Sequence, residues 1–108
     1  MIFRDNRSMS VSQILAGLKS QGYLLGFRRE AGCIYCLELQ ERVIPEDFTV
    51  DESYYFEDNM GPDADRVLYA ISLTNGRRGF LIDACNVYSD NISYEMKQKL
   101  QWKYPLLS

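Results

Sequence analysis

Two cysteines separated by two residues, Cys33 and Cys36, give the chain a CxxC pattern. Two thiolates at this spacing can bind one zinc ion or form a redox pair. Zinc needs four ligands, whereas the sequence offers no histidine and one further cysteine, Cys85. We therefore expect both cysteines to be reduced, partly buried and free of metal, and we expect no cofactor. A metal- or thiol-dependent module built on this pair, including a zinc site shared by two copies, is an alternative.

The absence of histidine also limits the catalysis that the chain can perform. It removes the most frequent general base and, with it, triads of the Ser-His-Asp and Cys-His types. Carboxylates remain, and Asp83 lies within an apolar run where a buried carboxyl group would be a site candidate. A small enzyme using Asp83 or Glu52 is therefore a further alternative, although an aspartate in such a strand more often faces solvent. The sequence assigns no catalytic residue.

Aromatic and basic residues supply the candidate ligand contacts. Tyr54, Tyr55 and Phe56 are consecutive, so the alternation of a strand places at least one ring on each sheet face. On an uncovered face Tyr55 would be exposed and could anchor a ligand or a subunit contact. Arg28 belongs to a basic pair, but no glycine-rich loop or helix N-terminus for phosphate binding accompanies it. The candidate ligand-binding residues are Tyr55, Asp83 and Arg28, with core filling and solvated positions as the alternatives.

A run of acidic residues is the most uneven feature of the charge distribution. Between Glu46 and Asp65 the chain contains eight carboxylates and no lysine or arginine. Residues 58–63 lack the alternating ligands and the distal glutamate of an EF-hand loop. We therefore expect a solvated face or contact with a basic partner rather than a metal site. The net charge of −3 and the pI of about 4.9 argue against nucleic acid or an anionic membrane as partner.

Length and composition predict one globular domain. The chain has 108 residues, of which 46% are hydrophobic and 25% charged, and this is enough to build a core. No apolar stretch approaches the ~18 residues that span a bilayer, and the N-terminus lacks the apolar segment of a signal peptide. We expect a cytoplasmic protein with a flexible lead-in at residues 1–9 and a single α+β domain at residues 10–108.

The elements that would position these residues begin with a helix over residues 11–21. Ser10 and Gln13 have the spacing of a capping box, and Gly22 suits the left-handed position that follows a helix. Residues 33–43 are ambiguous, because they combine alternating leucines with good helix formers.

Strands and a second helix complete the prediction. Asn75-Gly76 is the strongest short hairpin signal, because both central residues of a type I′ turn need positive φ. Ser93 can cap a final helix over residues 94–102. The predicted strands are residues 23–29, 48–57, 67–74 and 78–85.

The order of these elements is α-β-(x)-β-β-β-α, where x is the ambiguous segment. In the second clear strand, Phe48, Val50, Tyr54 and Phe56 share one period-2 face. Both helices must cover a sheet. We therefore expect an α+β two-layer sandwich, in which a largely antiparallel sheet of about four strands carries both helices on one face.

Four segments stand out together: IYCLELQ, IPEDFTVDESYYFED, PDADRVLYAISLTNGRRGFLIDA and VYSDNISYEMKQKL. They resemble a small bacterial family without established function, whose members often carry the genome label phosphoribosylpyrophosphate synthetase. The resemblance covers roughly residues 11–101, and PEDF and LYAIS are its most specific parts. The family pattern includes a CxxC-like element that Cys33 and Cys36 match. It usually has Tyr-Gly where this chain has Cys85-Asn86, and it carries over no catalytic residue.

The residues themselves do not predict synthetase activity. Such an enzyme is several times longer and needs a phosphate-cradling loop of small residues, which the strand exit at residues 83–87 lacks. We expect instead a non-enzymatic interaction or small-ligand-binding module. A homodimer formed through a sheet edge or face, and a protein or small-molecule partner, both stay open at this point.

Overall fold

The computed structural model describes residues 2–5, 10–56, 66–84 and 93–100, the first of these ranges by its backbone alone. Within them lie one seven-stranded sheet, two α-helices and a 3₁₀ turn. The α+β class is therefore confirmed, whereas the expected number of about four strands is wrong. The elements are β1 (Ile2–Asp5), α1 (Val11–Ser20), β2 (Leu25–Arg29), β3 (Ile34–Cys36), β4 (Glu41–Val43), the 3₁₀ turn (Pro45–Asp47), β5 (Phe48–Phe56), β6 (Arg66–Leu73), β7 (Arg78–Ala84) and α2 (Tyr94–Lys99).

The strands lie in the order β1-β5-β6-β7-β2-β3-β4. Strands β5, β6 and β7 form one antiparallel meander, and β2, β3 and β4 form another. Parallel pairing of β2 with β7 joins the two meanders. At the far edge β1, which lies within the expected lead-in at residues 1–9, pairs parallel with β5. Strands β1, β5, β7 and β2 consequently run in the same direction, so their C-terminal ends lie at the same end of the sheet.

Helix α1 begins at the predicted capping box. The Ser10 hydroxyl oxygen accepts from the Gln13 amide at 3.1 Å, and the Gln13 side chain accepts from the Ser10 amide at 2.8 Å. The helix ends at Ser20, one residue before the expected end, and Gly22 follows with φ +98°. Local sequence therefore determines both ends of this helix.

Strands β6 and β7 form the expected antiparallel hairpin, but the turn differs from the expected type. The Gly76 amide donates to the Leu73 carbonyl at 3.0 Å, and the Leu73 amide donates to the Arg77 carbonyl at 2.8 Å. Gly76 has φ +92°, whereas Asn75 does not have positive φ. The connection is therefore a three-residue loop with glycine in the left-handed position, not a type I′ turn.

The ambiguous segment at residues 33–43 folds as the short strands β3 and β4 with a tight turn between them. Gln40 in this turn has φ +54°. The Leu37 amide donates to the Gly26 carbonyl at 2.9 Å, and the Glu38 carboxylate accepts from the Gly26 amide at 2.8 Å. These contacts with β2 override the helix propensity of the segment.

Helix α2 begins after the expected cap, where the Ser93 hydroxyl oxygen accepts from the Met96 amide at 3.2 Å. The Ser93 amide also donates to the Ala31 carbonyl at 2.8 Å, which ties the start of the helix to the end of β2. The end of the predicted helix, residues 101–102, lies outside the described residues, as does Cys85.

A β-bulge at Asp51 decides which faces the residues of β5 occupy. The register of β5 with β6 shifts at this residue, so the alternation of side chains reverses there. Phe48 and Val50 face one side of the sheet, whereas Tyr54 and Phe56 face the other. The expectation that these four residues share one face is therefore wrong, because it assumed an unbroken strand.

The two helices lie on opposite faces of the sheet, so the expected two-layer arrangement is also wrong. The face covered by α2, here the α2 side, buries the odd-numbered residues of β6 from position 67 to 73 against Met96 and Leu100. The other face, here the α1 side, buries Leu68 and Ala70 against Leu18 of α1. The central strand is therefore covered on both sides, as its almost continuous apolar run requires.

Candidate functional site

Tyr55 and Asp83, two of the three expected ligand contacts, lie in one row across the α2 side. Tyr55 pairs with Val67, and Val67 pairs with Asp83, so the two residues are two strands, or about 10 Å, apart. Asp83 accepts a hydrogen bond from Arg29 Nε of β2, and about a fifth of each side chain is exposed. Tyr55 is half-buried against the α2-side core. The Arg29–Asp83 ion pair is therefore largely buried, and the Tyr55 ring is packed against the core rather than exposed as an anchor for a ligand.

Arg28, the third candidate, lies on the opposite side of the sheet in a stack of cross-strand neighbours. Its guanidinium carbon is 4.8 Å from the ring centroid of Tyr35, and that of Arg42 is 5.8 Å from the same ring. The Glu30 carboxylate accepts from Arg42 at 2.9 Å and from Arg28 at 3.2 Å. Hydrogen bonding by Arg42, followed by that of Arg28, lowers the pKa of Glu30. The three candidates consequently do not form one site.

Cys33 and Cys36 are both free and buried, but they have different neighbours. Cys36 packs into the α2-side core, whereas Cys33 Sγ lies 3.5 Å from a carboxylate oxygen of Glu30. Burial, followed by the hydrogen bond to Glu30, raises the pKa of Cys33 and disfavours the thiolate that metal or redox chemistry needs. Among the described residues, no group of three or more His, Cys, Asp or Glu side chains is placed to hold a metal ion.

Asp51 is the centre of a polar cluster on the α1 side that sequence reasoning missed. Its carboxylate accepts from the Tyr23 hydroxyl at 2.9 Å and from the Ser72 hydroxyl. The guanidinium carbon of Arg78 is 5.2 Å from the centroid of the Tyr23 ring. Burial, followed by the hydrogen bond to Asp51, raises the pKa of Tyr23. The cluster attaches the chain after α1 to the bulge, and no local sequence signal marks it because its members are 21 to 28 residues apart from Asp51.

The described part of the acidic run does not converge on one point. Glu46 and Asp47 are exposed in the 3₁₀ turn. Glu52, considered above as a catalytic carboxylate, accepts a hydrogen bond from the hydroxyl of Tyr54. Residues 57–65, which carry the rest of the run, lie outside the described residues.

One half of the α1 side is left uncovered by α1. The helix packs over β5 and β6 and borders Phe80 of β7, whereas within the described ranges no helix covers β2, β3 and the Ile82 end of β7 on this side. Three of the five exposed large hydrophobic side chains of the described residues lie on those strands or directly beside them. We call this surface the open half-face: it comprises Leu37 (49% exposed), Ile82 (39%), the half-buried Phe80 and Gly26, and Leu24 (63%) adjoins it just before β2.

Sheet register places these residues together. Ile82 pairs with Leu68 of the covered half, which fixes its side as the α1 side. Phe80 pairs with Gly26 across the parallel β7–β2 contact. A Cβ atom placed on Gly26 would lie 3.6 Å from both Leu37 Cδ1 and Glu38 Oε2, so the buried glycine lies beneath these two side chains. The open half-face is therefore an apolar surface with one carboxylate, that of Glu38, above Gly26.

A groove of about 390 Å³ lies between the end of α1, the start of β2 and the β6–β7 turn. It is lined by Gln21, Gly22, Leu24, Leu25, Gly76, Arg77 and Arg78. The Leu24 amide donates to the Arg78 carbonyl at 3.1 Å, which holds the start of β2 against β7. Arg78 stacks on the Tyr23 ring of the α1 side and therefore borders the open half-face at this end.

Comparison of the chain with protein-family models, with curated proteins and with solved structures gives no match in any of the three. The helices within the described residues, α1 and α2, have ten and six residues, and neither is long and apolar enough to cross a membrane. The family resemblance of the four sequence segments stays a prediction. The arrangement of side chains on the open half-face is consequently the main guide to function.

Proposed function

We propose that the protein is a non-enzymatic binding module that holds a partner protein on the open half-face. The observation that carries this proposal is the exposure of Leu37 and Ile82 on one half of one sheet face, with Leu24 exposed beside it. Contiguous exposed apolar surface in a monomer usually marks an interaction site. Leu68 of β6, which pairs directly with Ile82 of β7, is fully buried. The sheet face therefore changes from core to exposed surface between these two neighbouring strands.

The contacts of the ionisable groups favour binding over catalysis. Asp83 is paired with Arg29 on the α2 side, whereas Glu52 bonds with Tyr54 on the α1 side, so these carboxylates do not face a common substrate. The raised pKa of Cys33 disfavours a thiol-dependent reaction. Nothing in these contacts adds support for phosphoribosylpyrophosphate synthesis.

A face-mediated contact is also favoured over pairing at the β4 edge. This strand has three residues, of which Glu41 and Arg42 are charged and exposed, and short charged edges resist strand addition. If two copies paired antiparallel about a two-fold axis through Arg42, this arginine would lie opposite its own copy, and such like-charge pairs are destabilising. We therefore place the partner on the face and not on the edge.

Photocrosslinking tests the proposal directly. Full-length protein carrying p-benzoylphenylalanine in place of Ile82 is expressed in the cells from which the gene comes, and crosslinked products are identified by mass spectrometry. We expect a discrete heterologous product that disappears when Leu37→Asp is added, because this change replaces an exposed apolar side chain of the half-face by a charge.

The matched control carries the same photoreactive residue in place of Ser12, which is exposed on α1 away from the open half-face. The Ser12 variant should not yield the Ile82 product. The same products from both positions, or products that survive Leu37→Asp in a protein that still folds, would show that the face is not a specific surface. Products consisting of two copies of this chain would replace the heterologous partner with a homodimer.

A further inference from the structure

We infer that the partner presents an acidic amphipathic helix to the open half-face. The inference rests on the proposed function and specifies the chemistry of the partner. Its basis is a charge pattern at the rim of the surface together with the width of the strip that α1 leaves uncovered.

The rim of the open half-face is basic although the chain as a whole carries a net charge of −3. Arg28 and Arg42 have side chains that are 59% and 68% exposed, whereas the side chain of Glu30, which bonds to both, is 24% exposed. A partner approaching this end therefore meets two guanidinium groups before it meets the carboxylate.

The remaining charged side chains around the surface continue the pattern. Lys19 Nζ is 5.7 Å from the centroid of the Phe80 ring, and Arg78 borders the groove at the other end. Both are exposed, and Glu38 is the exposed carboxylate next to Gly26. Charge complementarity thus favours an acidic partner, and it disfavours a symmetric contact in which two copies would oppose their basic rims.

The shape of the surface fits a helix. Three neighbouring strands, β7, β2 and β3, span about 10 Å at the usual strand spacing, which is about the diameter of an α-helix. Helix α1 borders this strip at Phe80, and an apolar face of a second helix can contact Leu37 and Ile82 beside it. Helix α1 already packs on the adjacent strands of the same side, so a second helix beside it would complete a layer.

Two synthetic peptides test the inference. Both are helices of about 18 residues with the same leucine face, and their polar positions are all glutamate in one and all lysine in the other. Fluorescence anisotropy with the full chain should show the acidic peptide binding at least about tenfold more tightly than the basic one. Raising the salt concentration from about 50 mM to about 500 mM should reduce that difference.

Charge reversal at the rim locates the binding. Arg42→Glu should reduce the preference for the acidic peptide at least about threefold, while Lys97→Glu, the same change at an exposed position of α2 on the opposite side, should leave it unchanged. Circular dichroism and urea unfolding establish that both variants fold. Equal binding of the two peptides, failure of the acidic peptide to bind at about 1 mM, or indifference to Arg42→Glu would overturn the inference.

Different experimental results would refute the inference and the proposed function. A crosslinked partner whose segment at Ile82 is neither acidic nor helical would overturn the inference and leave the function standing. Selective binding of the acidic peptide with no face-specific crosslink in cells would support the inference about chemistry and count against the function.

Discussion

The covered and open halves of the α1 side differ in what lies above them rather than in their strands. In the covered half, Leu68 and Ala70 of β6 are fully buried beneath Leu18. In the open half, Ile82 of the next strand is directly opposite Leu68 and yet 39% exposed. The β6–β7 ladder is continuous through this boundary, so the sheet itself does not change there.

The difference is the one expected if folding accounts for the covered half and the proposed binding for the open half. The apolar residues of the covered half stabilise the folded chain, because burial of leucine side chains is a main favourable contribution to folding. The open half contributes less to stability, since Leu37 and Ile82 keep 49% and 39% of their surface in contact with water. The proposed function accounts for its apolar character by a contact outside the chain.

The largest difference in stability is expected between alanine substitutions at two glycines. Gly79 and Gly26 lie on adjacent strands and face opposite sides of the sheet. A Cβ atom at Gly79 would lie 2.3 Å from the Leu25 carbonyl oxygen and 2.6 Å from Phe27 Cε2. A Cβ atom at Gly26 would have its nearest neighbours at 3.6 Å. We expect Gly79→Ala to reduce the free energy of unfolding by about 4 kcal/mol, and Gly26→Ala to change it by less than about 0.5 kcal/mol.

Urea unfolding of both variants gives the comparison. Similar losses for the two alanine substitutions would contradict the difference between the close packing around Gly79 and the ordinary contact distances around Gly26.

The second prediction concerns the cross-strand pair at the boundary between the halves. Leu68→Ala should cost about 3 kcal/mol, because it leaves a cavity under α1, whereas Ile82→Ala should cost less than about 1 kcal/mol. Thermal and urea unfolding measure both values. If Ile82→Ala costs as much as Leu68→Ala, then Ile82 is buried in the isolated protein and the half-face is not open.

The third prediction tests how the end of α1 is attached to the bulge. Tyr23→Phe should cost about 1 kcal/mol at neutral pH, because Asp51 loses one of its two hydroxyl donors. Folding raises the pKa of Tyr23 above the ordinary value of 10.0, so the stabilisation is fully present below about pH 10. It should decrease as the pH rises through the folded-state pKa.

The difference in unfolding free energy between the parent and Tyr23→Phe, followed from about pH 8 to about pH 11, measures this dependence. A difference that stays constant over the whole range would mean that the hydroxyl does not bond to a carboxylate in the folded protein.

The smallest effect is expected at the rim. Arg42→Gln should raise the pKa of Glu30 toward its ordinary value, because Arg42 makes the largest contribution to lowering it. The folded-state pKa of Glu30 is lowered, so its contribution to stability is present at neutral pH and decreases as the pH falls through that pKa. A carbon-detected NMR titration of the side-chain carboxyl measures the shift, and an unchanged Glu30 pKa would show that the two side chains do not pair in solution.

Features set by neighbouring residues were predictable from the sequence. The Ser10–Gln13 capping box, the β6–β7 hairpin and the Ser93 cap depend on spacings of three residues or fewer, or on one turn, and each is present. The α+β class follows from the same local patterns.

Features set by distant parts of the chain were not predictable. The parallel pairing of β2 with β7 joins residues about 54 positions apart, and it alone brings Arg29 to Asp83. The bulge at Asp51 has no local signature, yet it separates Val50 from Tyr54 and so moves them to different faces. The open half-face depends on the parallel pairing of β2 with β7, and this is why its residues were not recognised in the sequence.

The accessibility of methyl groups tests the central claim most directly. A soluble gadolinium chelate added to methyl-labelled protein accelerates the relaxation of methyl groups that reach solvent. We expect strong enhancement for Leu24, Leu37 and Ile82 and little for Leu18 and Leu68, in line with their exposed fractions. The acidic peptide should then protect the first three and leave the other two unchanged. Protection of Leu24, Leu37 and Ile82 in the free protein, or peptide-induced protection elsewhere on the molecule, would contradict the account.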